Sequence, residues 1–314
     1  MKRRNFLKGG AALVAAPAVT VTSARWARAE TAPSHPPEKM KRVGATTVCF
    51  RSRFPQTRPK NAKPAEPDLT LEAVPAMFAR DLGVHNVEIW SRHFAETSAA
   101  YCQRLKTAAE KAGSRIINVQ LDSPGYDLSQ ADAAERAKSI QFVKDWMDRA
   151  AACGATSLRA NTGGRGPFDV NVTGDAFAQL AEHGKSVGVR ILVENHGGHS
   201  GSPDNIVAIM KHVGSPWCGT LPDFGNMPGN FTQEQRAAYL KRLFPHAYLV
   251  SAKGMDFDAE GRHTSFDIGA CVRVGEACGF KGIYSAEQWS PGPIPVSDLA
   301  ATQRIIAEIV AAIY

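Results

Sequence analysis

The chain has almost no net charge once its first 29 residues are set aside. It contains 37 Lys and Arg residues against 30 Asp and Glu, but six of the basic residues and none of the acidic ones lie before residue 30. The rest of the chain therefore carries 31 basic and 30 acidic residues. A protein that binds nucleic acid through a basic surface needs a clear excess of positive charge, so we expect no nucleic-acid partner.

Three further absences exclude other classes of protein. The six cysteines form no Cys-x-x-Cys pair, which argues against a disulfide framework and favours buried free thiols. No segment after the first 29 residues is long and apolar enough to span a bilayer. No Gly-x-Gly-x-x-Gly motif follows the first predicted strand, which disfavours an open sheet that binds a nucleotide.

The first residues have the form of a twin-arginine secretory signal. Arg3 and Arg4 precede a short apolar stretch rich in Ala and Gly, and the small-x-small triplet Ala27-Arg28-Ala29 closes the segment. We predict a signal peptide over residues 1–29, export by the twin-arginine machinery, and a periplasmic or secreted product. Residues 30–40 are Pro-rich and polar, as in a flexible lead-in, and residues 41–314 are predicted to form one domain.

That domain repeats one pattern: a short apolar strand, a turn, and an amphipathic helix. Eight strands alternating with helices predict parallel βαβ units, and the chain length suits a (β/α)8 TIM barrel in a single domain. The predicted strands cover residues 43–50, 85–90, 115–122, 156–162, 189–196, 219–224, 247–253 and 282–289.

Polar residues recur at the ends of the predicted strands, at intervals of 28 to 41 residues, or about one βα unit each. The C-terminal ends of all strands in such a barrel converge on the face that carries the chemistry. We therefore expect these residues to be neighbours that bind a substrate or catalyse its reaction. They are Glu88, Gln120, Asn161, Glu194, Asp223, Ser251 and Glu287.

Three acids at one barrel mouth, Glu194, Asp223 and Glu287, would repel one another unless protons or a cation compensated their charge. Carboxylate oxygens suit Mn, Mg or Zn, so the pattern favours one divalent metal ion as cofactor. The alternative is that the acids pair with arginines such as Arg159, or face water beside loops. Arg159 and Asn226 are also candidates for binding the substrate.

Other side chains share the parity of these acids along an extended strand. His196 follows Glu194 by two residues and is a candidate fourth metal ligand or a partner for a substrate hydroxyl. Lys253 is a candidate for polarising a carbonyl or holding an oxyanion. Trp90 and Trp289 are candidates for an apolar wall against a sugar ring, although either could be ordinary core.

The strings ILVENHGG, DNIVAIMKHVG, GTLPDFGN, HAYLVSAKGMDFDAEG and GFKGIYSAEQW resemble the sugar phosphate isomerase/epimerase family of xylose isomerase-like TIM barrels. The similarity spans about residues 84–290. It implies that Glu194, Asp223 and Glu287 correspond to three of the four ligands of one divalent metal. The fourth, a strand-7 histidine in a His-x-Lys-Asp motif, is Ser251 here, and a histidine often found after the strand-6 Asp is Asn226.

The resemblance implies an exported, metal-assisted sugar isomerase or epimerase. A proton would leave a carbon next to a carbonyl of a free sugar, keto-sugar or glycoside, with Glu194 and Glu287 as base and acid around an enediolate. The same intermediate could instead expel a β-substituent, as in a lyase or hydratase acting on 3-keto sugars.

Two non-isomerase interpretations share the same barrel. A non-catalytic sugar-binding barrel is supported by the loss of the histidine at Ser251. Phosphodiester cleavage of the AP endonuclease type is disfavoured, because it should need more histidine ligands and a basic groove. The oligomeric state is left open, including a homo-oligomer.

Overall fold

The computed structural model describes residues 34–60, 68–164, 166–290 and 294–314. The predicted signal peptide and the first residues of the predicted lead-in lie outside these ranges. At the end of the lead-in, residues Pro37–Met40 form a short helix, α1.

The described residues contain eight parallel strands arranged as a barrel. Their hydrogen-bonded order is β6-β5-β4-β3-β2-β1-β8-β7, and the isolated parallel bridges Thr220 to Ala247 and Asp223 to Ser251 join β6 to β7. The predicted TIM barrel is thus confirmed. The strands are β1 (Val43–Thr46), β2 (Asn86–Trp90), β3 (Arg115–Leu121), β4 (Ser157–Ala160), β5 (Arg190–Glu194), β6 (Cys218–Leu221), β7 (Leu249–Gly254) and β8 (Ile283–Gln288).

Helices connect the strands, and most begin at a side chain that caps free backbone N–H groups. The capping residues are Ser98, Asp132, Asp169, Ser202, Thr232, Asp267 and Ser297. The helices are α2 (Val74–Leu82), α3 (Ala99–Lys111), α4 (Ala133–Ala152), α5 (Val170–Val187), α6 (Pro203–Val213), α7 (Gln233–Leu243), α8 (Ile268–Ala277) and α9 (Asp298–Ala312).

The first strand is shorter than predicted. It ends at Thr46, whose hydroxyl accepts a hydrogen bond from the Val48 backbone N–H at 3.3 Å, and residues Thr47–Arg53 continue as 3-10 helix. The apolar residues after Thr46 therefore pack in a turn of helix rather than extending the strand. The other seven strands begin within two residues of their predicted starts, and six of them end within two residues of their predicted ends. Strand β6 ends at Leu221, three residues earlier than predicted.

Side chains along the strands alternate between the helices and the barrel interior. On β5, Val193 packs outward in the main hydrophobic core, whereas Leu192 belongs to a separate small cluster with Ile117, Leu221 and Leu249. This inner cluster fills one layer of the barrel with apolar side chains. The polar residues at the strand ends stand above a packed layer, so the barrel is not a pore.

The cysteines are all free: Cys49, Cys102, Cys153 and Cys271 are buried, Cys218 is partly buried and Cys278 is exposed. The predicted buried thiols are therefore found at four of the six positions. Within the described ranges, no helix is both long enough and apolar enough to cross a membrane.

Replacing Leu192 with Ala should lower the free energy of unfolding by about 2–5 kcal/mol, because it removes buried methyl groups and leaves a cavity in the inner layer. Urea unfolding followed by circular dichroism measures the change. Lys111→Ala, at an exposed position on α3, is the control and should change the value by less than about 0.5 kcal/mol. An equal effect of the two substitutions would contradict this packing.

Candidate active site

A cavity of about 520 Å³ opens where the strands end. Ten of the predicted site residues line it: Trp90, Gln120, Arg159, Asn161, Glu194, His196, Asn226, Lys253, Glu287 and Trp289. The remaining lining residues are Val48, Arg92, Asp122, Ser123 and Met255. The predicted residues Glu88, Asp223 and Ser251 are fully buried and do not line the cavity.

Arg159 is a buried cation that two acids share. Its Nε lies 2.9 Å from Glu194 Oε2, and its Nη1 donates to Asp122 Oδ1. Burial alone would raise the pKa of Asp122, but the guanidinium holds that pKa well below its usual range. The alternative foreseen for Glu194, an ion pair with Arg159, is therefore present in the structure.

Lys253 forms a second buried ion pair, with Glu287. Its Nζ lies 3.0 Å from Glu287 Oε1, and both side chains are buried. Gln120 Nε2 donates to Glu287 Oε2 at 3.0 Å, and the Ser251 hydroxyl donates to the same oxygen at 3.4 Å. Burial opposes ionisation of Glu287, but Lys253 and the Gln120 amide lower its pKa below the usual value, so this carboxylate stays ionised.

Glu194 differs electrostatically from Glu287. Burial raises the pKa of Glu194 to about 7, despite the nearby charge of Arg159. Its Oε1 accepts a hydrogen bond from Asn226 Nδ2 at 3.3 Å. Two carboxyl groups in one cavity thus have pKa values displaced in opposite directions, as is common for groups that exchange protons.

Asp223 is held inside the protein by its own turn. Its Oδ1 accepts hydrogen bonds of 2.7 Å from the backbone N–H groups of Gly225 and Asn226. Burial raises the pKa of Asp223 to about 7. The side chain therefore orders the loop after β6 and adds negative charge behind Lys253.

Glu88 lies deeper than its predicted position at the mouth. Asn118 Nδ2 donates to Glu88 Oε1 at 2.7 Å, and burial raises the pKa of Glu88 to about 7. The register between β2 and β3 shifts between Val87 and Glu88. This acid belongs to the polar interior of the barrel rather than to the cavity surface.

Trp90 and Trp289 both line the cavity and contact each other. The rings of Trp90 and Trp289 meet edge to face, with their centroids 6.3 Å apart. Trp90 Nε1 donates to Asp122 Oδ2 at 2.6 Å, and the Arg51 guanidinium stacks 4.2 Å from the Trp289 ring. Such flat apolar faces suit a sugar ring.

His196 stands exposed at the mouth, where its Nδ1 lies 3.5 Å from Asn161 Nδ2. The glycine turn after His196 allows two loops to approach each other closely. A Cβ on Gly198, at φ 52°, would lie 2.4 Å from the carbonyl oxygen of Gly163. The close neighbour that requires glycine at 198 is therefore the loop after β4.

Asp122 is one of the five lining residues that sequence reasoning missed, and it makes polar contacts with three predicted ones. It follows β3 and shares the parity of Gln120, by the same two-residue spacing that singled out His196 after Glu194. Its contacts to Trp90, Arg159 and Asn161 place it at the centre of one side of the cavity.

The arrangement of these acids does not fit a divalent ion, which needs several ligand atoms converging on one point. Glu287 Oε1 faces Lys253, Glu194 Oε2 faces Arg159, and Asp223 Oδ1 already accepts two backbone hydrogen bonds. Asp223 Oδ2 is buried without a hydrogen-bond partner, but one such oxygen does not supply several converging ligands. In the part of the chain that the structure describes, no group of three or more His, Cys, Asp or Glu side chains is placed to hold a metal. The metal stays a prediction from the sequence.

Comparison with known families matches residues 77–309 to the family described as xylose isomerase-like TIM barrel, and residues 1–20 to the twin-arginine translocation pathway signal sequence. The first match covers most of the chain. The protein therefore belongs to the xylose isomerase-like TIM barrel family. A search of curated protein sequences gave no match.

Several solved structures share this fold at low sequence identity. An L-ribulose 3-epimerase has a TM-score of 0.68 at 16% identity, with 86% of this chain and 95% of that chain covered. The 3-keto-D-glucoside 4-epimerase of E. coli has a TM-score of 0.62 at 12% identity, covering 85% and 98%. A xylose isomerase-like protein from Mycobacterium smegmatis in complex with magnesium has a TM-score of 0.60 at 17% identity, covering 87% and 97%.

Arg159→Met should lower the free energy of unfolding at pH 8 by about 3 kcal/mol or more, because it leaves the buried carboxylate of Glu194 and the partly buried one of Asp122 without their cation. The deficit should shrink toward pH 5. Without the guanidinium, burial raises the pKa values of Asp122 and Glu194, so the variant gains stability as these acids take up protons.

Urea unfolding at both pH values measures this difference. Arg273→Met, which removes an exposed ion pair with Asp267, is the control and should cost less than about 1 kcal/mol at either pH. A deficit for Arg159→Met that is the same at pH 8 and pH 5 would contradict the assigned charge network.

Proposed function

We propose that the protein is an exported sugar isomerase or epimerase that removes a proton from a carbon next to a carbonyl. The observation that carries the proposal is the carboxyl group of Glu194, which borders the cavity and has a pKa of about 7. A base with a pKa near the working pH combines a large ionised fraction with a strong tendency to accept a proton.

Glu194 acts as the base in this scheme. The C–H proton passes to its carboxylate, and the electron pair left on carbon moves onto the neighbouring carbonyl oxygen to give an enediolate. An isomer forms when the hydroxyl proton on the first carbon passes to the former carbonyl oxygen and the carboxyl group returns its proton to the former carbonyl carbon. Protonation of the first carbon from the opposite side instead gives an epimer. Glu287, the second carboxyl group of the cavity, is ionised and is the proposed partner for epimer formation: it takes the proton from one side, and the protonated form of Glu194 supplies one from the other.

The cavity supports a sugar-sized substrate. Its volume of about 520 Å³ lies within the range of small-molecule sites. Trp90 and Trp289 provide apolar faces, while Asn161 and Asn226 provide amide groups for hydroxyls. The names of the L-ribulose 3-epimerase and the 3-keto-D-glucoside 4-epimerase point to the same chemical class.

The export signal narrows the range of possible substrates. The twin-arginine signal match supports a periplasmic or secreted location, where phosphorylated metabolites of the cytoplasm are not the expected substrates. We therefore propose a free sugar, a keto-sugar or a glycoside. Loss of a β-substituent from the same enediolate would make the enzyme a lyase, and product analysis separates these outcomes.

Wild-type protein incubated in D2O with a panel of free and keto-sugars should incorporate deuterium at a carbon next to the carbonyl. Glu194→Gln should reduce this incorporation by at least about 100-fold, because it removes the proton acceptor. Glu287→Gln should abolish epimer formation. NMR spectroscopy follows both the isotope content and the products.

Glu182→Gln, an exposed acid on α5, is the matched control and should retain wild-type rates. Full activity of Glu194→Gln would show that the base is wrongly assigned. No incorporation with any sugar, combined with tight sugar binding, would favour the non-catalytic barrel.

The rate of deuterium incorporation should rise with pH through about 7, because the ionised form of Glu194 is the reactive one and burial raises its pKa to about 7. A profile of kcat/KM from pH 5 to 9, measured at sub-saturating sugar, tests this because it reports the ionisation of the free protein. A rate that is already constant above pH 5 would show that Glu194 titrates in its usual range.

A further inference from the structure

We propose that the ammonium group of Lys253 takes the place of the divalent cation in this site. The proposal rests on the proposed function for its catalytic part, because the same ammonium would hold the carbonyl oxygen of the sugar. The proposal also states that the protein binds no catalytic metal, and this statement can be tested without any substrate.

The charge pattern around Lys253 is the first support. Glu287, Asp223 and Glu194 are the three acids expected to hold a metal, and each of them acts electrostatically on the Lys253 ammonium. The Lys253 Nζ lies 3.0 Å from Glu287 Oε1, in an ion pair whose two side chains are both buried. One fixed positive charge therefore already sits among the predicted ligands.

The chain also builds a place for the lysine stem. A Cβ on Gly225 would lie 2.9 Å from Lys253 Cγ and 3.1 Å from its Cδ, closer than ordinary van der Waals contact. Gly225 follows Asp223 on the loop after β6, and only a residue without a side chain leaves room there. The loop and the lysine thus fit each other.

The ammonium itself is oriented toward the cavity. Two of its neighbours are fixed acceptors, Glu287 Oε1 at 3.0 Å and Asn226 Oδ1 at 3.1 Å, and its Nζ lies 5.7 Å from the centre of the Trp289 ring. An ammonium has three N–H donors. With two donated to these acceptors, the third is available to a substrate oxygen in the cavity.

This arrangement suits the proposed chemistry. When Glu194 takes the proton, negative charge develops on the carbonyl oxygen, and a buried cation that donates a hydrogen bond to that oxygen stabilises it without waiting for solvent to reorganise. Ser251 also contributes to this arrangement. It occupies the place of the missing histidine and donates its hydroxyl to Glu287 at 3.4 Å, supporting the lysine's partner.

The test is metal binding by the purified, chelator-treated mature protein. We expect no stoichiometric metal by elemental analysis and no loss of the free Mn²⁺ electron paramagnetic resonance signal on titration. The double variant Ser251→His with Lys253→Met restores a histidine and removes the cation, and it should bind Mn²⁺ at least tenfold more tightly than the wild type. About one Mn²⁺ bound per wild-type chain would overturn the proposal.

Deuterium incorporation gives the second readout. The chelator-treated wild type should retain its rate, Lys253→Met should lose about 100-fold or more, and Lys253→Arg should recover part of it because it keeps the charge. Restoration of a chelator-sensitive wild-type rate by Mn²⁺ would overturn the proposal. If no sugar exchanges at all, the proposed function fails, while the Mn²⁺ titration still decides whether lysine replaces the metal.

Discussion

The site depends on the burial of two cations and several acids inside one barrel. Arg159 joins Asp122 to Glu194, and Lys253 joins Glu287 to the loop after β6. Any of these groups left alone would pay a desolvation cost of several kcal/mol. Together they compensate one another, and the apolar inner layer beneath them keeps the network at the open end of the barrel.

The same network gives two chemically identical side chains different properties. Glu287 has a lysine, an amide and a hydroxyl directed at its oxygens and remains ionised, whereas Glu194 is dominated by burial. The difference arises from neighbouring strands, since each carboxyl group meets donors carried by other βα units. A barrel allows this because eight strand ends converge on one small volume.

The sequence was sufficient to predict the barrel and the group of side chains at its mouth. Strand periodicity and the spacing of one βα unit placed Glu194, Lys253 and Glu287 in one cavity, since both depend on local pattern. Depth along the barrel axis was not predictable in the same way. Glu88 lies in the middle of β2 and hydrogen-bonds Asn118 inside the barrel, and the strand pattern alone does not show how far a side chain lies from the mouth.

Pairing between charges was the other feature that the sequence left open. The sequence indicated that the negative charges of the three acids must be compensated, and both a metal ion and an arginine could supply the positive charge. It could not show that Asn226 and Gly225 shape a place for Lys253, because those contacts join residues 27 and 28 positions apart on different strands. Asp122 was not predicted, although its spacing of two residues from Gln120 places both side chains on the same side of the strand.

The most direct measurement of this account is a pH titration of the mature protein labelled with ¹³C at the glutamate carboxyl groups, with the two signals assigned through Glu194→Gln and Glu287→Gln. The account predicts that the Glu194 carboxyl titrates near pH 7. The Glu287 carboxyl should have a pKa below that of an ordinary glutamate, so it should stay ionised at more acidic pH. Two signals that titrate together in the ordinary range of glutamate would contradict it.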